Sequence, residues 1–160
     1  MTSEPKWRLV IGCDEAGLEY KEQLKADLLA DPRVASVEDL GVRADNLSAT
    51  YPEIGLAAGE RIAAGAADRG VLICGTGIGM AISANKVAGI RATTAHDSFS
   101  AERSVLSNNC QVLTMGQRVI GLELARRLVR EWLGYVFDEQ SASAKKVAVI
   151  SAYESANAAS

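Results

Sequence analysis

The chain has 160 residues, 48% of them apolar and 23% charged, with a formal net charge of −3. This length bounds one domain with a real core, and the composition excludes a disordered chain. Mixed acids and bases give no footprint for nucleic acid, no apolar run nears the roughly 20 residues of a membrane span, and the polar stretch Met1 to Lys6 lacks a signal-peptide core.

Arg8 to Gly12 is a short apolar run that ends at Cys13 and Asp14 and reads as the first strand. Tyr20, Leu24 and Leu28 follow at four-residue spacing, one buried face of a helix that stops at Asp31-Pro32. Val34 to Leu40 predicts strand two, and Gly41 to Thr50 a polar loop. Tyr51-Pro52 opens a helix running to about Ala67, with Pro52 suited to a first turn. Val71 to Cys74 is strand three, followed by the glycine-rich run Gly75-Thr76-Gly77-Ile78-Gly79 and a short helix. Ile90 to Ala95 is strand four, then a helix to about Leu106 capped by Asp97 or Ser98. Gln111 to Met115 is strand five. Leu122, Ala125, Leu128, Val129 and Trp132 mark an amphipathic helix, and Ser141 to Ala159 a last one.

Strands alternating with helices imply a three-layer α/β/α domain over residues 1–160, a doubly wound, five-stranded parallel sheet of Rossmann-like form. Ligands in such sheets bind beyond the carboxyl ends of the strands, near a topological switch point. With strand order 2-1-3-4-5, the switch lies between strands one and three, and Asp14 and Cys74 share one crevice.

Cys13, Cys74 and Cys110 match neither a zinc spacing nor a disulfide framework, and a reducing cytosol is their simplest home. Asn46-Leu47-Ser48 fits a glycosylation sequon and reads as chance without a secretion signal. Cys13 and Cys110 read as core. Cys74 is either a small buried hydrophobe or a thiolate supported by the turn and helix that follow it. Asp14 either caps the next helix or binds a substrate hydroxyl. His96 is a proton donor or a hydrogen-bonded structural group. Asn108-Asn109 is a turn or a pair of amides for sugar hydroxyls. Arg118 faces the same rim as Cys74, while Lys145 and Lys146 open the last helix as solvated charges or ligands.

Taken together, Ile73 to Gly79, Ser83-Ala84-Asn85-Lys86-Val87, Gly89-Ile90-Arg91-Ala92, Gly12-Cys13-Asp14, Tyr51-Pro52, His96-Asp97 and Gly116 to Gly121 resemble the ribose-5-phosphate isomerase B and galactose-6-phosphate isomerase family. The resemblance runs over about residues 8 to 150 in collinear order. It implies interconversion of aldose and ketose phosphates through a cis-enediolate, with no metal or other cofactor. By resemblance, Cys74 is the base and Thr76 assists with a hydroxyl. Amides from Gly75 to Gly79, including those of Gly77, stabilise the enediolate oxygen, and Asp14, Tyr51 and Asn108 hold substrate hydroxyls. One branch of the family places a carboxylate directly after the glycine loop; Met80 stands there and cannot take a proton. The resemblance also implies a homodimer, or a dimer of dimers, with shared sites. Arg118, Lys146 and the helix over about 141–159 would then serve a neighbouring subunit.

Five positions depart from the family pattern. Glu15 stands where a histidine near the phosphate is usual, and Ser107 where a histidine credited with ring opening is usual. Ala142 and Lys146 replace two arginines of the last helix, and Thr50 replaces an aspartate before Tyr51. Ribose 5-phosphate is the default substrate. A tetrose 4-phosphate, which needs no ring opening, is the alternative, and a branch acting on erythrulose 4-phosphate resembles this chain around Ser107-Asn108-Asn109 and Thr114-Met115-Gly116. A non-catalytic nucleotide- or metabolite-binding module is the reading from another class.

Overall fold

Apolar runs of four to seven residues, each ended by glycine or a polar cap, become the strands of one parallel sheet. The computed structural model describes residues 6–158. Of the expected last helix, residue 159 lies outside them, as do residues 1–5 of the polar start. The strands are β1 (Trp7–Cys13), β2 (Val34–Asp39), β3 (Arg69–Cys74), β4 (Ala92–Thr94) and β5 (Val112–Gly116). They alternate with α1 (Leu18–Ala30), α2 (Tyr51–Ala63), α3 (Ile78–Ala84), α4 (Ser98–Leu106), α5 (Leu122–Trp132) and α6 (Ala142–Asn157). Helix α2 stops four residues before Ala67 because Gly65 adopts φ +77°, the left-handed turn that ends helices. Its start is fixed by Thr50, the departure noted above, whose N–H donates to the Glu53 carboxylate at 2.6 Å.

The strand order is β2-β1-β3-β5-β4, a correction to 2-1-3-4-5. The reason lies in burial. Every residue of β5 is buried, whereas β4 has three residues and only Ala92 is buried, so β5 takes the interior place and β4 the edge. The switch point between β1 and β3 survives the change.

Alternation along the strands sorts the side chains onto two faces. Leu9, Ile11, Cys13, Val71, Ile73, Leu113 and Met115 pack with α1 and α5. Val10, Leu72, Cys74 and Val112 pack with α2 and α3. Cys13 and Cys74 therefore end neighbouring strands on opposite faces.

Two charged groups are built into this core, Arg69 at the amino end of the strands and Lys21 at the carboxyl end. Arg69 is 6% exposed, stacks between Trp7 (3.9 Å) and Trp132 (4.9 Å), and donates to the carbonyls of Trp132 and Tyr135 at 3.1 and 2.6 Å. Cation–π contact on both faces and carbonyl acceptors at the edge compensate the guanidinium for lost water. On the other side, fully buried Lys21 meets Asp39 at 2.8 Å, and Lys25 meets the same oxygen at 2.9 Å.

Burial opposes charge on Asp39, yet hydrogen bonds from Lys21, Lys25 and the Gly41 N–H overcome it and hold the carboxyl down at about 2. A depressed carboxyl contributes stability that is full above its unfolded pKa and lost as pH falls through the folded one. We expect Asp39 to contribute about 2 kcal/mol at pH 5, lost between about pH 4 and pH 2. Urea unfolding across that range checks this; a flat stability profile there would contradict it.

Candidate active site

Register brings the two polar strand ends together. Cys13 pairs with Ile73 across β1 and β3, so Asp14, one residue on, comes level with Cys74 on a strand about 4.8 Å away. On its other side Cys74 pairs with Gly116 of β5. The chain continues in step there: Gln117 N–H donates to the Cys74 carbonyl at 2.9 Å, and Arg118 N–H to that of Gly75 at 3.0 Å. The corrected strand order thus makes β5, not β4, the strand that delivers Arg118 beside the cysteine.

The glycine run folds back over the end of β3. Gly77 has φ +81°, and a Cβ there would lie 2.8 Å from the Met115 Cα. Its N–H donates to Cys74 Sγ at 3.0 Å, an orientation that supports negative charge on sulfur. Among the described residues, the N–H groups of Gly75 and Thr76 have no acceptor, so they stand ready for a ligand oxygen beside the thiol. Thr76 is exposed, and its Oγ1 accepts from the Ile78 N–H at 3.2 Å. The Tyr51 ring packs directly on Gly79, where a Cβ would overlap it. The Arg118 guanidinium covers Gly75, with Nη1 3.2 Å from where a Cβ would stand. Close approach by the ring explains why position 79 is glycine, whereas the exposed guanidinium could give way at position 75.

Asp14 caps the turn that follows β1. Its Oδ1 accepts from the Ala16 N–H at 3.0 Å, capping a 3₁₀ turn (Glu15–Gly17), and its other oxygen has no partner among the described residues. Glu15 opens that turn and is exposed. The Tyr51 side chain and the Arg118 guanidinium likewise make no hydrogen bond or ion pair among the described residues, and both residues are exposed. Cys74 is 4% exposed and Met80 fully buried in the same cluster. Burial pushes the thiols of Cys13 and Cys110 up to about 11, in keeping with their reading as core. His96 is structural: the Gly116 N–H donates to its Nε2 at 2.9 Å, and burial holds the imidazole below its usual range. It braces Gly116, where a Cβ would strike the Thr76 backbone.

Asn108 is not gathered here by the chain itself. Asn108 precedes β5 at the amino end of the sheet, and the four steps of β5 separate that end from Gly116 by about 13 Å. It is exposed, and its Nδ2 donates to the Arg103 carbonyl at 3.1 Å. It lines a cavity of about 1110 Å³ along β4 that α6 covers with Ile150, Tyr153 and Glu154. Lys146 is exposed on α6 and makes no hydrogen bond or ion pair among the described residues.

Thr94 and Thr114 were missed as functional groups. Both hydroxyls contact the Gly77 carbonyl, at 3.1 and 2.8 Å. For Thr114 the signal is a threonine at a core-facing position of an otherwise apolar strand.

A family model described as Ribose/Galactose Isomerase matches residues 9–150. D-erythrulose-4-phosphate isomerase 2 of Mycolicibacterium smegmatis is 64% identical over 93% of this chain and 98% of its own length. Ribose-5-P isomerase B of Listeria innocua is 44% identical over 86% of this chain and 91% of its own. The solved ribose-5-phosphate isomerase B of Clostridium thermocellum superposes with a TM-score of 0.84 at 38% identity, covering 92% of this chain and 97% of that one. With the glycine loop, its cysteine and the switch-point aspartate in place, this chain belongs to the ribose/galactose isomerase family and is a sugar-phosphate isomerase.

Proposed function

We propose that the enzyme interconverts D-erythrulose 4-phosphate and D-erythrose 4-phosphate, with Cys74 as the base. The observation that carries the base assignment is the Gly77 N–H on Cys74 Sγ, with Asp14 level with it and unpaired amides beside it. A thiolate there takes the proton from C1 of the ketose. The electron pair flows toward C2, and the loop amides and the Thr76 hydroxyl stabilise the enediolate oxygen. A proton passes from O1 to O2 of the enediolate and Cys74 returns its proton to C2, which gives the aldose. The step is redox-neutral overall, since C1 is oxidised as C2 is reduced.

Asp14 and Tyr51 hold hydroxyls, and Arg118, charged and unpaired, takes the phosphate. Asn108 lies too far from Cys74 to serve it within one chain, which supports a homodimer with shared sites to which Lys146 would also contribute. Val149, Ile150 and Tyr153 of α6, 68%, 54% and 73% exposed, give such a partner an apolar surface. Three free thiols suit a cytosolic enzyme. No helix among the described residues is long and apolar enough to cross a membrane. A non-catalytic nucleotide module would leave the pairing of Cys74 with Asp14 without a purpose.

Two observations put the tetrose ahead of ribose 5-phosphate. One relative named for erythrulose 4-phosphate stands at 64% identity and a second at 42%, against 44% and 39% for two named for ribose. Ser107 also occupies the ring-opening position, and a tetrose 4-phosphate cannot form a furanose because its O4 is esterified. Ribose 5-phosphate is the second reading, supported by the solved neighbour. At equal concentration, kcat/KM for erythrose 4-phosphate is expected to exceed that for ribose 5-phosphate by about tenfold or more. A preference for ribose 5-phosphate would reverse the assignment.

A further inference from the structure

The Gly77 carbonyl is supplied with donors beyond need. It opens α3 by accepting from the Ala81 N–H at 3.1 Å. Thr114 Oγ1 lies 2.8 Å from the same oxygen and Thr94 Oγ1 3.1 Å, with 2.8 Å between the hydroxyls. The two residues pair across β4 and β5, and Thr114 is fully buried. A hydroxyl at a core position carries a desolvation cost that an aliphatic residue would not. Either both protons go to the carbonyl, or one bridges the pair and the other reaches it; the carbonyl is held in both cases.

Geometry gives this anchor a consequence for the site. The carbonyl of Gly77 and the N–H of Ile78 belong to one peptide plane and point opposite ways. With the carbonyl fixed toward the sheet, the Ile78 N–H faces the Thr76 hydroxyl at the rim. Gly77, free of a Cβ, has little intrinsic bar to rotating this plane. Without the anchor that plane could turn its carbonyl oxygen toward the rim, and the sheet would release the residue whose own N–H, in the preceding peptide, meets the sulfur.

We propose that Thr114, with Thr94, is a positioning residue that locks the Gly77–Ile78 peptide so that the glycine loop presents its N–H groups to Cys74 and to the enediolate. This rests on Cys74 being the base. It is tested with Thr114→Val, which keeps shape without the hydroxyl, and Thr114→Ser, which keeps the hydroxyl. Thr114→Val is expected to lower kcat about tenfold with KM within about twofold, and to slow iodoacetate labelling of Cys74 at neutral pH by a similar factor. Thr114→Ser is expected to restore both rates to within about threefold. Unchanged rates in Thr114→Val overturn the proposal, as does a loss that serine fails to restore, which would mark a packing role. If Thr114→Val does not fold, Thr94→Val on the edge strand is judged by the same two rates and the same criteria. Labelling reads the sulfur without reference to turnover. An active Cys74→Ala variant would therefore sink the base assignment alone, while the labelling rates would still judge the threonine pair.

Discussion

Cys74→Ala lowers kcat by about 10³-fold or more and stops exchange of the transferred carbon-bound proton with solvent, while the sugar phosphate still binds. The expectation follows from what else the site offers. Met80 is fully buried and has no proton to exchange, and His96 already accepts from the Gly116 N–H. Asp14 uses one carboxylate oxygen on the Ala16 N–H. The phosphate and hydroxyl ligands are separate groups, so affinity measured by calorimetry survives. Incorporation of deuterium from heavy water, followed by NMR, is the decisive readout. Turnover at the parent rate would move the base to another group, with Asp14 first in line.

Gly77→Ala is expected to cost about 2–4 kcal/mol of stability and about 100-fold in kcat. Two effects add. A side chain at φ +81° costs about 1–2 kcal/mol, and its Cβ would meet the Met115 backbone at 2.8 Å. Backbone cannot rotate away as a side chain does, so the loop must lift from β5. Lifting takes the Gly77 N–H off the sulfur and the carbonyl off the threonines. Gly65→Ala is the matched comparison. Its φ of +77° is nearly the same, but no atom lies within 4 Å of the added Cβ. That variant is expected to lose about 1 kcal/mol and keep full activity. Urea unfolding and steady-state rates on the pair separate strain from misplaced chemistry. Equal behaviour of the two variants would mean that contact with β5 does not hold the loop.

What was legible in the chain was whatever local pattern determines. The apolar runs ended where the strands end, within about two residues. The Cys74–Asp14 crevice needed only a switch between β1 and β3, and β1 and β3 do pair. Strand order was not legible beyond that point, because the length and burial of β4 against β5 emerge only from packing. Asn108 was credited with a site role by resemblance, yet its own chain places it at the far end of β5. Sequence position carries no information about which subunit an amide serves. The threonine anchor was hidden for another reason: Thr114 and Gly77 lie 37 residues apart, and a buried hydroxyl shows its purpose only once its acceptor is in place.

The stack around Arg69 also determines what light can report about this protein. Trp7 and Trp132 are the two tryptophans of the chain, and both face the same guanidinium. Arg69 begins β3 and Cys74 ends it, about 16 Å along the strand. Intrinsic indole emission is therefore a readout of core assembly at one end of the molecule. It is insensitive to the occupant of the other, and a silent fluorescence titration says nothing against binding.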